Sequence, residues 1–235
     1  MRFRAGIIAL LVLPSPYAPA QIESSRFGLV AGRTYSYVGI AQWTDTTERA
    51  RTAPLRWRMD IVQARSWHDV RGAVVRGWIQ ELAWYTPGQR PDFSILFEYR
   101  GRLYHIAAQD SVAAIDSLAA AIRDGVSAAR RGELIVDSSL VVGETFGSDV
   151  DRGRTDGFYA WDVDSQAAAP RRLRWSPLAI EPTRWRIVYR TLADEQVIDF
   201  VPGVGVSRFT YVHHGTIAAV DVHLSTVTTV RSAHR

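Results

Sequence analysis

The sequence contains no cysteine, no lysine and no asparagine. The missing cysteines exclude disulfides, thiolate zinc sites, iron–sulfur clusters and cysteine nucleophiles together. The missing asparagines remove every N-glycosylation acceptor. All 28 cations are therefore arginine. No Gly-x-Ser-x-Gly elbow is present to support a nucleophilic serine. Gly203-Val204-Gly205 lacks the third glycine of a dinucleotide fingerprint and lies between predicted strands, so it reads as a strand connection. Beyond the N-terminus no stretch approaches the ~18 apolar residues of a membrane span.

What is present is a globular composition. The chain has 235 residues, 47% hydrophobic, 22% charged and 11% aromatic. That excludes a disordered, collagenous or coiled-coil protein. A chain this long buries a core without metal or disulfide staples.

Residues 1–20 read as a secretory signal peptide. Arg2 and Arg4 supply the positive start, and Ala5 to Leu13 is an unbroken small or apolar run. Pro14 and Pro16 stop a helix, and Ala18-Pro19-Ala20 offers small residues for cleavage before Gln21. No cysteine follows the apolar run, which excludes a lipid-anchored lipoprotein. Without Arg2 and Arg4 the balance is 26 cations against 24 acids, a net of +2. That gives no strong pull toward nucleic acid. The expected location is the periplasm or the exterior, with residues 21–235 forming one β-rich domain and no span in the mature chain.

Period-2 alternation dominates that domain and predicts half-buried strands. Leu55, Trp57, Met59 and Ile61 alternate with Arg56, Arg58 and Asp60. Thr183, Trp185, Ile187 and Tyr189 alternate with Arg184, Arg186 and Arg190, and Tyr35, Tyr37 and Trp43 share a face within Arg33–Trp43. Clean alternation suits antiparallel sheets with one wet face. Two hairpins can be registered. A turn at Arg100-Gly101 sets Phe97 opposite Tyr104 and Ile95 opposite Ile106. A turn at His214-Gly215 sets Phe209 opposite Val220, Tyr211 opposite Ala218, Ser207 opposite Val222 and Arg208 opposite Asp221. Thr44–Pro54, Gly143–Gly157 and Asp164–Arg172 read as loops.

One segment breaks the pattern. From Asp110 to Arg131, Val112, Ile115, Leu118, Ala119, Ile122 and Val126 recur at helical spacing, which predicts one long helix at about 110–131 packed on the sheet. Asp110 or Ser111 caps its start and Gly132 its end, while Gly125 weakens it by about 1 kcal/mol. The fold class expected is α+β and mostly β: a large curved antiparallel sheet, open or half-barrel, carrying that helix.

Candidate chemistry is sparse. His213, His214 and His223 are the best metal or catalytic candidates, but His213 and His223 fall on opposite faces of one hairpin and cannot meet on one ion. Asp149, Asp151, Asp156, Asp162 and Asp164 fail the EF-hand template and read as a solvated acidic loop. Arg171, Arg172 and Arg174 beside Trp175 read as a solvated face. The eight tryptophans sit mainly at inward strand positions, as core. No catalytic, cofactor-binding or metal-ligating residue is assigned.

Two stretches carry a resemblance. Phe27-Gly28-Leu29-Val30-Ala31-Gly32-Arg33-Thr34-Tyr35-Ser36-Tyr37 resembles the opening of a loose group of secreted bacterial proteins and lipoproteins that begin near Gly-Asn-Thr-Trp-x-Tyr. Here Arg33 replaces the asparagine and Tyr35 the tryptophan. Phe200-Val201-Pro202-Gly203-Val204-Gly205-Val206, followed by Tyr211 and Gly215, is similar to the group's Ala-Pro-Gly-Val-Gly element, with Val201 replacing the alanine. The resemblance implies an exported, mostly antiparallel β domain and supplies no catalytic residues. At the level of fold alone, a curved sheet with one packed helix also resembles periplasmic lipoprotein carriers.

The leading functional reading is a non-enzymatic binding or carrier module of the cell envelope, for a lipid or other apolar or amphipathic ligand held between helix and sheet. The alternative is a structural or protein-interaction component meeting other envelope proteins. A second alternative is a hydrolase using the His213/His214 region. A carrier needs an enclosed cavity, an interaction protein fills its core and exposes an apolar patch, and a hydrolase needs a cleft with convergent polar groups.

Overall fold

The computed structural model describes residues 25–230 except 138, 175, 177 and 216. The expected signal peptide and its cleavage site lie outside the described residues. Twelve strands form one antiparallel sheet: β1 (Arg33–Thr44), β2 (Ala50–Trp67), β3 (Val70–Arg76), β4 (Phe93–Tyr99), β5 (Arg102–Ala108), β6 (Glu133–Asp137), β7 (Thr145–Phe146), β8 (Trp161–Ala168), β9 (Thr183–Arg190), β10 (Asp194–Val201), β11 (Gly205–His213) and β12 (Ala218–Thr229). Their spatial order is β6-β5-β4-β3-β2-β1-β12-β11-β10-β9-β8-β7. The sheet curls into a nearly closed barrel, with β6 and β7 approaching across an unpaired seam. No helix among the described residues is long and apolar enough to cross a membrane.

The alternation read from the sequence sets the inner face. Leu55, Trp57, Met59 and Ile61 are all buried, and they join Tyr35, Tyr37, Ile187, Ile198 and Phe209 in one core inside the barrel. That core is filled: the room left between Phe27, Met59, Trp78, Leu96 and Phe200 is about 10 Å³, no more than one water needs. Phe27 and Leu29, ahead of β1, belong to it, as do Ile79 and Leu82 of a short 3₁₀ turn (Ile79–Leu82) between β3 and β4.

The predicted loops are shorter than expected. β2 already begins at Ala50, β8 runs on to Ala168, and Gly143–Gly157 contains β7 and the helix α3 (Asp149–Arg152). Ladder pairing holds these segments in spite of their polar sequences, with Thr52 opposite Gln42 and Ala167 opposite Arg184.

The Arg100-Gly101 hairpin has the predicted register, with Phe97 opposite Tyr104 and Ile95 opposite Ile106. Both turn residues have positive φ, 50° and 74°, as a type I′ turn requires. The second hairpin is offset by two residues from the predicted register. His213 pairs with Ala218, so four residues make the turn, and Phe209 faces Val222, Tyr211 faces Val220 and Arg208 faces His223. A shift of two preserves which face each side chain takes. Arg208 therefore still reaches Asp221, diagonally, through bonds of 2.9 and 2.7 Å, within the span of diagonal neighbours for long side chains.

The single long helix is not observed. Two helices, α1 (Ser111–Arg123) and α2 (Gly125–Arg131), meet at Asp124. Asp110 caps α1 by accepting from the amides of Val112 and Ala113, both at 2.8 Å. Asp124 leaves the helical region (φ −142°, ψ 84°) and caps α2 by accepting from Ser127 N at 3.0 Å. The buried stripe is Ala114, Leu118, Ala121, Gly125 and Ala128, while Val112, Ile115 and Val126 are exposed. Small residues won that face because the approach is close. A Cβ on Gly125 would lie 2.7 Å from Val70 Cγ2, and one on Gly72 would lie 2.6 Å from Leu118 Cδ1. Helix and sheet interlock around Val74, Phe97 and Tyr104, so the space proposed for an enclosed ligand is occupied by side chains. A further short helix, α4 (Arg171–Arg174), precedes β9.

Candidate functional site

The histidines do not converge. His223 is exposed on the outer face opposite Arg208, and His214 is exposed in the four-residue turn, its amide bonded to Ala193 O at 2.7 Å. His213 alone is built into a polar cluster. Its Nδ1 donates to Asp194 Oδ1 at 2.9 Å, and Tyr211 Oη donates to the same oxygen at 2.6 Å. Thr191 Oγ1 reaches the other oxygen at 3.3 Å. Burial pushes the Asp194 carboxyl up, but the bonds from Tyr211, His213 and Thr191 outweigh it and hold it below the usual range. Burial and the adjacent carboxylate both push Tyr211 well above an ordinary phenol. Asp194 starts β10 and His213 ends β11, so ladder pairing sets them side by side. No motif links them in sequence; only the pairing of the two strand ends brings the aspartate to the histidine.

Trp84 lies over this cluster, its ring centroid 4.3 Å from that of His213 and 5.8 Å from that of Tyr211. It has φ of 59°, a conformation uncommon for a bulky residue. Glu81 ties the loop that carries it. One carboxylate oxygen accepts from Trp78 N at 2.8 Å and the other from Asp92 N at 2.9 Å, so one side chain joins both ends of the loop. Burial pushes Glu81 up to about 7 against the pull of those two amides. The His213–Asp194 pair matches two members of a hydrolytic triad, but it sits beneath an indole and lines none of the clefts described below.

The acidic loop does not make a site. Asp151 bonds Ser148, Asp156 bonds Arg154, and Asp162 takes Thr145 Oγ1 at 2.7 Å. Among the described residues no group of three His, Asp or Glu side chains could hold a metal ion. The Asp149 and Arg174 side chains and Trp175 lie outside what is described. Gly203 and the residues beside it connect β10 to β11, as read from the sequence.

The seam is a different matter. Because β6 and β7 are not laddered, a cleft of about 670 Å³ opens there. Gly132–Leu134 form one bank and Gly147, Ser148 and Asp151 the other. Five aromatic side chains line it: Tyr99, Tyr104, Tyr159, Trp161 and Tyr189. Trp161 and Tyr189 pack at 5.1 Å. Tyr159 has φ of 66° and lies under the Arg154 guanidinium at 4.7 Å. Arg100, Arg102 and Arg130 stand at the rim, Arg102 already bonded to Asp137 at 2.8 Å. Burial raises Tyr189, with the carboxylates of Glu133 and Asp151 adding to it. Each of these residues reads singly as core or surface in the sequence. Only closure of the sheet brings strands β5, β6, β8 and β9 to one place.

No family model matches the chain, and no curated protein matches it. Among solved structures, the chain is similar to a Bacteroides fragilis protein named as exported and YmcC-like in fold. The two share 8% identity with a TM-score of 0.42, over 88% of this chain and 100% of that one. It is also similar to a protein from Parabacteroides distasonis named as a lipoprotein, at 6% identity and a TM-score of 0.38, over 87% of this chain and 99% of that one.

Proposed function

We propose that this chain is an exported, non-enzymatic binding protein of the bacterial cell envelope, and that it takes an amphipathic ligand in the seam cleft. The observation that carries the reading is the contrast between the interior around Phe27, Met59 and Phe200, with about 10 Å³ to spare, and an open cleft of about 670 Å³ at the seam, within the range of small-molecule sites. The apolar part of the ligand lies on Val126, Leu134, Trp161 and Tyr189, and its polar end meets Arg100 and Arg130 at the rim. Arg130 has no ion-pair partner among the described residues. Export is supported by Arg2, Arg4, the apolar run Ala5 to Leu13 and Ala18-Pro19-Ala20.

Dodecyl phosphate, titrated into the purified protein and followed by native mass spectrometry and thermal shift, tests the site. The expected result is a one-to-one complex weakened about tenfold or more by Tyr189→Ala and by Arg130→Glu, a loss of about 1.4 kcal/mol each. Absence of binding, or equal binding by both variants, overturns the site and favours the interaction component. Intact mass of secreted protein tests export, with Gln21 expected as the first residue.

A further inference from the structure

Away from the seam, a second groove of about 600 Å³ opens where β2 and β4 end and β3 begins, lined by Arg26, Trp67, His68, Asp69, Arg71 and Glu98. Its charges are mutually compensated. Arg71 stands opposite Glu98 in the β3–β4 ladder, Arg26 Nη2 lies 3.5 Å from Glu181 Oε1, and Arg100 Nε lies 3.9 Å from Asp69 Oδ2. A ligand of net charge gains little there. What the groove lacks is neutral hydrogen bonding. Arg26 Nε and Glu98 Oε2, one donor and one acceptor, are both buried without a partner. Buried polar atoms are seldom left so. Both belong to residues that line the groove. A hydroxyl both donates and accepts, so the hydroxyls of a polyol suit a wall that offers an unpaired donor and an unpaired acceptor.

The rim supplies the other half of the site. Trp67 is 62% exposed at the β2–β3 hairpin tip, and the His68 ring packs edge-on against it at 4.8 Å. His68 has φ of 50°, so the tip is held in a left-handed turn that presents the indole. An exposed indole face at the mouth of a polar groove offers a flat surface to the C–H face of a saturated ring.

We propose that this groove binds a polyhydroxylated ring, with Trp67 stacking on its apolar face and ring hydroxyls meeting Arg26 and Glu98. The site is separate from the seam cleft and does not depend on it. Saturation-transfer NMR on the full chain is the test, with methyl glucoside and maltohexaose as probes and glycylglycine as the zwitterionic comparison. Transfer to the ring C–H protons is expected, lost at least about tenfold in Trp67→Ala and in Glu98→Gln and unchanged in Tyr189→Ala at the seam. Thermal melts of each variant confirm that it is folded. Transfer to methyl glucoside alone points to a free sugar, and stronger transfer to maltohexaose to a chain; either supports the site. No transfer to either sugar, transfer indifferent to both groove variants, or preference for glycylglycine overturns it.

Discussion

Phe27 and Phe200 touch, their ring centroids 5.5 Å apart and tilted by 36°. Phe27 lies ahead of β1 and Phe200 near the end of β10, and the segments around them form one piece of structure. Gly203 N donates to Arg26 O at 2.6 Å, Tyr37 Oη donates to Val206 O at 3.0 Å, and Arg33 Nη1 reaches both Gly28 O and Gly203 O, at 3.1 and 3.4 Å. Arg33 is 7% exposed, so its charge is stabilised in the interior by carbonyls. These contacts tie the segment ahead of β1 to the β10–β11 connection.

That contact sets the first expectation. Phe27→Ala should cost about 3–5 kcal/mol in a urea melt, the range for truncating a buried phenylalanine. A loss near zero would mean that the segment ahead of β1 contributes little to closing the barrel.

In the second hairpin, Val222 is fully buried opposite Phe209, while Arg208 and Asp221 are more than 40% exposed. Val222→Ala should therefore cost roughly 1–3 kcal/mol and Asp221→Ala only about 0.2–1 kcal/mol. Parallel denaturant melts decide between them, and the register is wrong if the aspartate change does more damage.

Gly125 inverts the usual helix rule. Alanine there should favour a helix by about 1 kcal/mol. Its Cβ would instead press on Val70 Cγ2 at 2.7 Å and Tyr99 Cδ2 at 2.8 Å. Gly125→Ala should lower stability by about 1–3 kcal/mol through overpacking, read as a lower melting midpoint.

Glu81 makes stability depend on pH. Its carboxyl rises from an ordinary 4.5 to about 7 on folding. A raised value means the folded state holds the proton more tightly, so the contribution is complete below about 4.5 and lost as pH rises through about 7. Between about pH 5 and about pH 8 the wild type should lose more stability than Glu81→Gln. Equal slopes would show that Glu81 is not the group responsible.

Much of this fold is visible in local sequence, because alternation is a local signal. Leu55 to Ile61 declared an inward face without reference to anything else, and Arg100-Gly101 is a turn that only left-handed residues make. The second turn was harder: His214-Gly215 invites a two-residue loop, and only the pairing of β12 with β1, Val222 opposite Gly39, shows that the strand sits two places further along. Hydrophobic periodicity favours the wrong helix face because Val112, Ile115 and Val126 outweigh alanine in any hydrophobic count, whereas Val70 leaves room only for Gly125 and Gly72 makes room for Leu118. Asp194 beside His213 is set by the register of the β10–β11 hairpin and Trp161 across the seam from Leu134 by closure of the sheet, and neither has a motif to announce it.

The strand order divides the chain into two six-stranded meanders, β1–β6 and β7–β12, each pairing only strands adjacent in sequence. One ladder, β1 with β12, pairs the two halves, and one covalent connection, between β6 and β7, links them. The ladder unites the two most distant strands, so its loop-closure cost falls late in folding, after each meander can already exist. The covalent link runs through Val141 and Val142, both exposed. A protease that cuts there leaves the ladder untouched, so the two halves are expected to stay together as one species in native mass spectrometry.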